Sequence, residues 1–369
     1  MSNLLQNCRC TLLHPIIANS CMILHLPTMS NLAAFLPAAR APFQVNEVDT
    51  YHPGPTEILV RNEIIALNAI EYKIARYDAI PTKYPSIIGS TFGGVVHSVG
   101  SEVTSPRVGE RVVVSKRVGF KGDQYSAYQR YVVVDDVMVS KIPPEIDLAI
   151  PASLMMNLTC VVGLFTGRLG LERPGLDSTI IKPRKSLKIL IYGGSSSFGS
   201  LAVQYLFQAG YEVVTTSSPQ NVTFVSQLGA TVVVDHTLDQ NKILDALLTQ
   251  GPYDVIVDMI STSATIPITA QVLAAQGGGK LYTVQPGSQL LPDNVERLFE
   301  PWSESLYEEE NRELQRWVVE TYIPKGLLQG YIVALPVEKV DGGLSGLDKA
   351  FKRIEQGVTG LKLVIDPWE

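Results

Sequence analysis

In the middle of the chain, apolar residues alternate between runs of strand length and stretches at helical spacing. The clearest example extends from Leu187 to Gln204, where an apolar run meets Gly193-Gly194 and apolar residues then recur at helical spacing. Further apolar runs, each followed by a helical stretch or turn, lie at 211–216, 231–235, 254–258 and 280–284. Apolar strands that alternate with helices indicate a parallel sheet covered on both faces. The pattern therefore predicts a doubly wound α/β domain.

The turn at Gly193–Gly199 is the predicted ligand site of this domain. Glycines allow a sharp turn and close approach of a ligand, and the first N–H groups of the following helix point to the same place. The turn is only a loose relative of the dinucleotide motif G-x-G-x-x-G, so a tight turn without a ligand is the alternative. The regular strand and helix array that follows favours a dinucleotide pyrophosphate site.

The end of the second strand indicates which dinucleotide is bound. An NAD-selective domain places Asp or Glu there, whereas this chain has Thr216-Ser217-Ser218-Pro219-Gln220-Asn221. No carboxylate is present to repel a 2′-phosphate, and the hydroxyls and the amide can donate hydrogen bonds to one. The segment therefore favours NADP(H), although no Lys or Arg follows closely. A turn selected for turn chemistry alone remains the alternative.

Outside this region the pattern changes. From Phe43 to Pro143 short alternating strands and frequent turns predict a β-rich domain. The 369 residues are 46% hydrophobic and 18% charged, which is sufficient for two cores. A net charge of −6 gives no electrostatic reason to expect nucleic acid or an anionic membrane as a partner, and no clean apolar run of bilayer length is found.

Three of the four cysteines lie near the start of the chain. Cys8, Cys10 and Cys21 precede Thr28, and only Cys160 lies in the body of the chain. This sparse usage predicts a reducing compartment and no disulfide framework, and no Cys/His set has convincing zinc spacing, so no metal is predicted. Residues 1–28 contain one formal charge, Arg9, and no clean signal peptide. They are predicted to be an N-terminal extension that is disordered or results from an upstream start.

Several segments carry a family resemblance. They are Phe92-Gly93-Gly94-Val95-Val96, Val108-Gly109-Glu110-Arg111-Val112, the glycine turn, and the tail at 357–365. Together they resemble the medium-chain dehydrogenase/reductase superfamily over residues 30–365, in particular its zinc-independent quinone-reductase and enoyl-reductase branch and the fungal trans-acting enoyl reductases. The resemblance implies a GroES-like β-rich domain plus a Rossmann doubly wound parallel sheet, with the active site between them.

The domain boundaries that follow from the resemblance place the GroES-like domain at 29–150 and the Rossmann domain at 151–305. Residues 306–369 are expected to return to the first domain and complete it. The segment from Glu172 to Lys185 is predicted to be a surface loop on the way across.

The resemblance also implies what chemistry is lost. Zinc-dependent members hold their metal with Cys and a His-Glu pair, but the corresponding stretches here are 66–73 and 89–92, which contain neither thiol nor imidazole. Alcohol oxidation without a Lewis acid is disfavoured, whereas hydride addition to an activated C=C or a quinone needs only a positioned nicotinamide and donors for the oxyanion. The chain is therefore predicted to be an NADPH-dependent enoyl or quinone reductase. The alternatives are a zinc-independent alcohol dehydrogenase-like enzyme and a non-catalytic NADP-binding redox sensor.

The resemblance further assigns roles to individual residues. Lys73 and Tyr72 are the predicted catalytic residues, which orient the cofactor or the substrate carbonyl, although a lysine there can also be an ordinary surface residue. The predicted cofactor contacts are the phosphate turn (Gly194, Ser196, Ser197, Phe198, Gly199), the 2′-phosphate turn (Ser218, Pro219, Asn221), His236 near the adenosine, Val284 and Gln285 at the nicotinamide, Ile70 and Glu71 beside Lys73, and Leu361 and Lys362 as a late contact.

The expected substrate is a small-molecule or carrier-bound enoyl compound. A polyketide synthase is the candidate partner, in secondary metabolism. Relatives are monomers or homodimers, and either state is compatible with the sequence. The expected location is the cytoplasm.

Overall fold

The N-terminal part of the chain forms short antiparallel strands, as the alternating pattern predicts. The computed structural model describes residues 30–176, 186–358 and 360–369. The predicted extension at 1–28 and residues 177–185 of the predicted surface loop lie outside these ranges. The first elements are β1 (Asn31–Leu36), β2 (Gln44–Val48), β3 (Glu57–Ala66), α1 (Ala69–Tyr77), β4 (Ser86–Ile87), β5 (Thr91–Val99), β6 (Arg111–Ser115), β7 (Tyr131–Asp135) and β8 (Val139–Lys141).

These strands form two sheets. One has the order β2-β1-β4, and in the other β3 pairs with β5 and β7, while β6 lies between β5 and β8. Their inner faces enclose one apolar core, to which Phe92, Tyr128 and Ile65 contribute fully buried side chains. This is the predicted GroES-like part of the fold.

A long apolar helix connects this β-rich part to the next. Helix α2 (Ala149–Val162) continues as a π-helical segment over Gly163–Arg168. By length and composition alone, Ala149–Arg168 is long and apolar enough to cross a membrane, a run that was not predicted from the sequence. In the structure 67% of its apolar window is buried, and α2 packs against β3, β5 and β6 and against the helix at Gly199–Gln208. Its apolar character is therefore that of a core helix.

The parallel sheet follows the predicted alternation. Its elements are β9 (Lys188–Tyr192), α3 (Gly199–Gln208), β10 (Glu212–Ser217), α4 (Val222–Gln227), β11 (Val232–Asp235), α5 (Gln240–Gln250), β12 (Val255–Asp258), α6 (Ile266–Ala275), β13 (Gly279–Thr283) and β14 (Val295–Leu298). All neighbouring pairs are parallel, in the order β11-β10-β9-β12-β13-β14. This is the classic Rossmann strand order, so the predicted fold class is confirmed.

The last segment returns to the β-rich part. It contains α7 (Arg312–Trp317), α8 (Ile323–Leu328), β15 (Val337–Lys339), α9 (Leu347–Glu355) and β16 (Lys362–Ile365). Strand β16 pairs antiparallel with β3, with Val364 opposite Ala66 and Ile365 opposite Ile65. Helices α7 and α8 instead contribute Leu314 and Ile323 to the core shared with α2 and α3. The boundaries at 150 and 305 stay predictions.

Candidate active site

The glycine turn lies at the carboxyl end of β9, where the sequence predicts it. Gly193 has φ +94°, and its N–H donates to Thr216 Oγ1 at 2.9 Å. A Cβ on Gly194 would lie 2.3 Å from Thr215 Oγ1, and one on Gly199 would lie 2.1 Å from the Gly193 carbonyl oxygen. The turn is therefore closed to larger residues. Because it leads directly into the N-terminus of α3, it fits the pyrophosphate of a dinucleotide.

Three further predicted phosphate contacts lie in this turn. Ser196 Oγ accepts a hydrogen bond from the Gly199 N–H at 2.9 Å, which occupies one of the free donors at the start of α3. Ser197 Oγ accepts one from Asn157 Nδ2 at 3.0 Å. The Phe198 side chain packs against the core around α2 and α3, so only its main chain is positioned for a phosphate. Asn157, on α2, was missed because no local motif marks it.

The turn predicted for the 2′-phosphate follows β10 on the same edge of the sheet. Asn221 Nδ2 donates to Ser218 Oγ at 3.1 Å, and Pro219 begins a short 3₁₀ turn. The buried Ser217 hydroxyl has no hydrogen-bond partner, which leaves a polar group available at this point. No Lys or Arg side chain is bonded to the turn within the described ranges. His236 is exposed, and its main-chain N–H donates to the Ser217 carbonyl at 3.2 Å.

The β-rich part approaches this turn through the residues just before β16. A Cβ on Gly360 would lie 3.9 Å from Asn221 Oδ1, so the two segments face each other across the cleft. Leu361, the neighbouring predicted contact, is half-buried. The position of these residues agrees with a late contact to the cofactor, which stays a prediction.

Lys73 connects the two parts of the protein. Its ammonium donates to Gln285 Oε1 at 2.6 Å, so that a residue of α1 contacts the second residue after β13. The lysine is half-buried, and burial lowers the pKa of its ammonium. None of the ion pairs among the described residues involves Lys73. The structure thus brings together one predicted catalytic residue and one predicted nicotinamide contact.

The side chain of Tyr72, the other predicted catalytic residue, packs among aromatic rings and not against Gln285. The residue is 8% exposed, and its ring contacts edge-on both the exposed Tyr77 and Phe351 of the β-rich core. Its hydroxyl lies 3.1 Å from the Tyr77 hydroxyl. Adjacent residues of a helix point about 100° apart, so when Lys73 faces the cleft, Tyr72 faces the core. We therefore do not retain Tyr72 as a catalytic candidate.

Glu71 and Lys362 form a buried polar cluster around Asn68 rather than an open cofactor surface. Glu71 Oε2 accepts from the Asn68 N–H at 2.9 Å, which closes a capping box at the start of α1. Lys362 Nζ donates to Asn68 Oδ1 at 2.9 Å. Burial raises the pKa of Glu71 and lowers that of Lys362 to about 8. The side chains of Glu71 and Lys362, both predicted cofactor contacts, therefore bond to Asn68 inside the protein. Ile70, the neighbouring predicted contact, is half-buried.

The neighbours of Gln285 hold the segment after β13 in place. The Val284 N–H donates to Ser261 Oγ at 2.9 Å, and Asp258 Oδ1 accepts from the N–H groups of Ile260 and Ser261. Burial raises the pKa of Asp258. The Asp258 carboxylate therefore caps the loop after β12.

The side chains around Lys73, within the part of the chain that the structure describes, do not fit a metal ion. The described residues contain no group of three or more His, Cys, Asp or Glu side chains that could hold an ion. At the stretches where zinc-dependent members hold their metal, the structure has Asn68 and Thr91, joined by a 3.0 Å hydrogen bond from Nδ2 to Oγ1. Lys116 lies close by and donates to Ser126 Oγ at 2.9 Å, and burial lowers the pKa of its ammonium.

Two family models match the chain. The model of the alcohol dehydrogenase GroES-like domain matches residues 54–144, and the model described as zinc-binding dehydrogenase matches residues 198–299. The two matches fall on the β-rich part and on the parallel sheet.

Known proteins are similar to the chain over nearly its whole length. The zinc-binding alcohol dehydrogenase domain-containing protein cipB of Emericella nidulans is 31% identical over 343 residues, which cover 91% of this chain and 98% of cipB. The trans-enoyl reductase himH of Aspergillus japonicus is 30% identical, and the match covers 92% of this chain and 98% of himH. Among solved structures, that of mycobacterial Rv1454c complexed with NADPH has a TM-score of 0.70 at 21% identity, and the match covers 92% of this chain and 100% of that one. At that identity the last likeness concerns the fold alone.

Proposed function

The chain belongs to the medium-chain dehydrogenase/reductase superfamily, and from that membership we propose that it is an NADPH-dependent reductase of an activated carbon–carbon double bond, in an enoyl compound or a quinone. The family and the fold support an oxidoreductase of this superfamily with a nicotinamide cofactor. The observation that supports reduction of an activated double bond is the position of the Lys73 ammonium, 2.6 Å from Gln285 Oε1 at the carboxyl edge of the sheet. Ligands of open α/β sheets bind outside this edge.

The residues of the cleft divide the expected work. The glycine turn would hold the pyrophosphate, and the uncharged turn at Ser218–Asn221 would accept a 2′-phosphate without charge repulsion. Bound NADPH supplies a hydride. Lys73 would donate a hydrogen bond to the carbonyl oxygen of the substrate, where negative charge develops when the β-carbon accepts the hydride. The enolate electron pair then takes a proton at the α-carbon, from Lys73 or from water.

The proposal is tested by incubating purified protein with NADPH and enoyl thioesters, enones or quinones and following the absorbance of NADPH. A parallel assay with NADP⁺ and alcohols follows the formation of NADPH. Consumption of NADPH with enoyl compounds or quinones is expected. Protein that binds NADPH but oxidises it with none of these acceptors would be a redox sensor. Oxidation of alcohols without added zinc would favour the alcohol dehydrogenase-like alternative.

The similarity to himH, a trans-enoyl reductase, supports a carrier-bound substrate. We extend the proposal to an enoyl chain tethered to the acyl carrier of a polyketide synthase, in the cytoplasm. Comparing the same enoyl chain on a carrier protein and as a free thioester tests this part. Equal kcat/KM for both substrates would be compatible with a reductase but would contradict a preference for carrier-bound chains.

A further inference from the structure

We infer that Gln285 is a positioning residue for Lys73: it fixes the ammonium across the cleft through one neutral oxygen and leaves two N–H bonds free for the substrate. This inference rests on the proposed reduction and deepens it. The hydrogen bond joins residues 212 positions apart in the chain. Lys73 lies on α1 in the β-rich part and Gln285 lies two residues after β13 in the parallel sheet, so the contact exists only when both parts are folded against each other.

The orientation of the Gln285 amide follows from its second partner. Its Nε2 donates to the Ile260 carbonyl oxygen at 2.7 Å. A carbonyl can only accept, so the NH₂ group must face Ile260 and Oε1 must face Lys73. The opposite orientation would set two donors against each other at Lys73 and two acceptors at Ile260. The amide is therefore an acceptor of fixed direction for the ammonium.

The backbone behind this amide is also held. Arg297, on β14, donates from Nη2 to the Gln285 carbonyl oxygen at 2.6 Å and from Nε to Thr283 Oγ1 at 3.2 Å. Its Nη1 bonds to Gln289 Oε1. The residues on both sides of Gln285 are thus tied to one guanidinium. A rigid acceptor matters because small displacements of a catalytic group reduce the rate steeply.

The charges around the contact decide how Lys73 behaves as an acid. Gln285 itself is neutral, and the charged groups that pack near it are the Arg297 guanidinium and the buried Asp258 carboxylate behind that arginine. Burial lowers the pKa of Lys73, and no carboxylate among the described residues offsets this effect. A carboxylate in place of the amide would stabilise the ammonium and make it a weaker proton donor.

Two variants and a control test the inference in the full chain. Gln285→Glu replaces the neutral acceptor by a charged one of the same shape, and Gln285→Met removes the acceptor at similar length. Gln329→Glu adds the same charge at an exposed position and serves as the control. Circular dichroism and thermal unfolding establish that each variant is folded.

The first readout is independent of any substrate. Lys73 is acetylated with acetic anhydride at a series of pH values, and mass spectrometry follows the peptide that contains it, because only the neutral amine reacts. We expect the midpoint to move to higher pH in Gln285→Glu and to stay in place in Gln329→Glu. An unchanged midpoint in Gln285→Glu would overturn the inference.

The second readout is the reduction itself. Gln285→Met should lose about 10- to 100-fold in kcat, with the KM for NADPH unchanged. In Gln285→Glu the alkaline limb of the kcat profile should move to higher pH. A raised KM for NADPH at unchanged kcat would instead make Gln285 a cofactor contact and overturn the inference. A wild type that reduces none of the acceptors, with the acetylation midpoint still shifted, would refute the proposed function and leave the positioning of Lys73 intact.

Discussion

Lys73 lies half-buried in the cleft with one bonded partner, and that partner is uncharged. Several other lysines of the described residues are exposed to solvent or form ion pairs with carboxylates, as Lys339 does with Glu369. A lysine whose pKa is lowered by burial, beside a predicted nicotinamide site, is suited to donate to a developing oxyanion. Sequence pattern alone could not separate it from a surface lysine.

Replacing Lys73 tests this role directly. Lys73→Met keeps the length of the side chain and removes the donor, and we expect kcat to fall about 100-fold, the lower end for loss of a general acid. The KM for NADPH should change little, because the glycine turn is untouched. Steady-state kinetics on an enoyl substrate measure both values. Lys83→Met, at an exposed position, is the control. Equal activity of both variants would remove Lys73 from the mechanism.

Ser218 bears on cofactor choice at the same scale. Ser218→Asp places a carboxylate where the 2′-phosphate is expected, and charge repulsion should weaken NADPH binding by about 10-fold or more and NADH binding far less. Fluorescence titration with both nucleotides gives the two dissociation constants. Ser226→Asp adds the same charge at an exposed residue of α4. An equal loss for both nucleotides would mean that this turn does not face the phosphate.

At the scale of elements, the parallel sheet was predictable because its strands are buried on both faces. The runs ending at Asp235, Asp258 and Val284 therefore stand out as continuous apolar segments. The β-rich half showed only alternation, and the return of residues 306–369 to it was expected from the family resemblance. The pairing of β16 with β3 was not predicted, since no local pattern encodes a partner about 300 residues away. The direction of the Tyr72 side chain could not be predicted for a related reason: the nine residues of α1 do not show which of its faces is buried and which meets the cleft.

The turn between β9 and α3 gives an element-scale prediction. A Cβ on Gly199 would lie 2.1 Å from the Gly193 carbonyl oxygen, so Gly199→Ala must displace the turn. We expect a loss of about 1–3 kcal/mol in unfolding free energy and a large loss of NADPH affinity. Urea denaturation and nucleotide titration measure the two effects. Gly119→Ala, with no atom near its Cβ, should change neither. Unaltered NADPH binding in Gly199→Ala would show that the phosphate lies elsewhere.

At the scale of the molecule, Lys362 links the last strand to the first helix. The residue is 7% exposed. Its ammonium donates a hydrogen bond to Asn68 Oδ1 beside Glu71 and so joins β16 to the start of α1. Helix α1 also carries Lys73. The position of the predicted catalytic lysine therefore depends on a contact made by the end of the chain.

The pH dependence of stability should report this contact. Burial lowers the pKa of Lys362 from 10.5 to about 8, so between these values the unfolded chain binds more protons than the folded one. Stability attributable to Lys362 therefore rises with pH in this window, by about 2 kcal/mol from pH 7.5 to 9.5. The unfolding free energy of the wild type minus that of Lys362→Met, from urea denaturation, should increase by this amount. Lys352→Met, at an exposed site, should show no such slope. A constant difference for Lys362→Met would contradict a buried ammonium.

The return of β16 to β3 has a consequence for biosynthesis. During translation β3 and Glu71 leave the ribosome long before Lys362 is made, while the parallel sheet from β9 to β14 is complete in between. Domains generally fold as units while synthesis proceeds. The parallel sheet can therefore form on the nascent chain, but the β-rich part is complete only after β16 has been made. A stop codon before residue 362 would then yield a protein that retains the phosphate turn and lacks a properly placed Lys73.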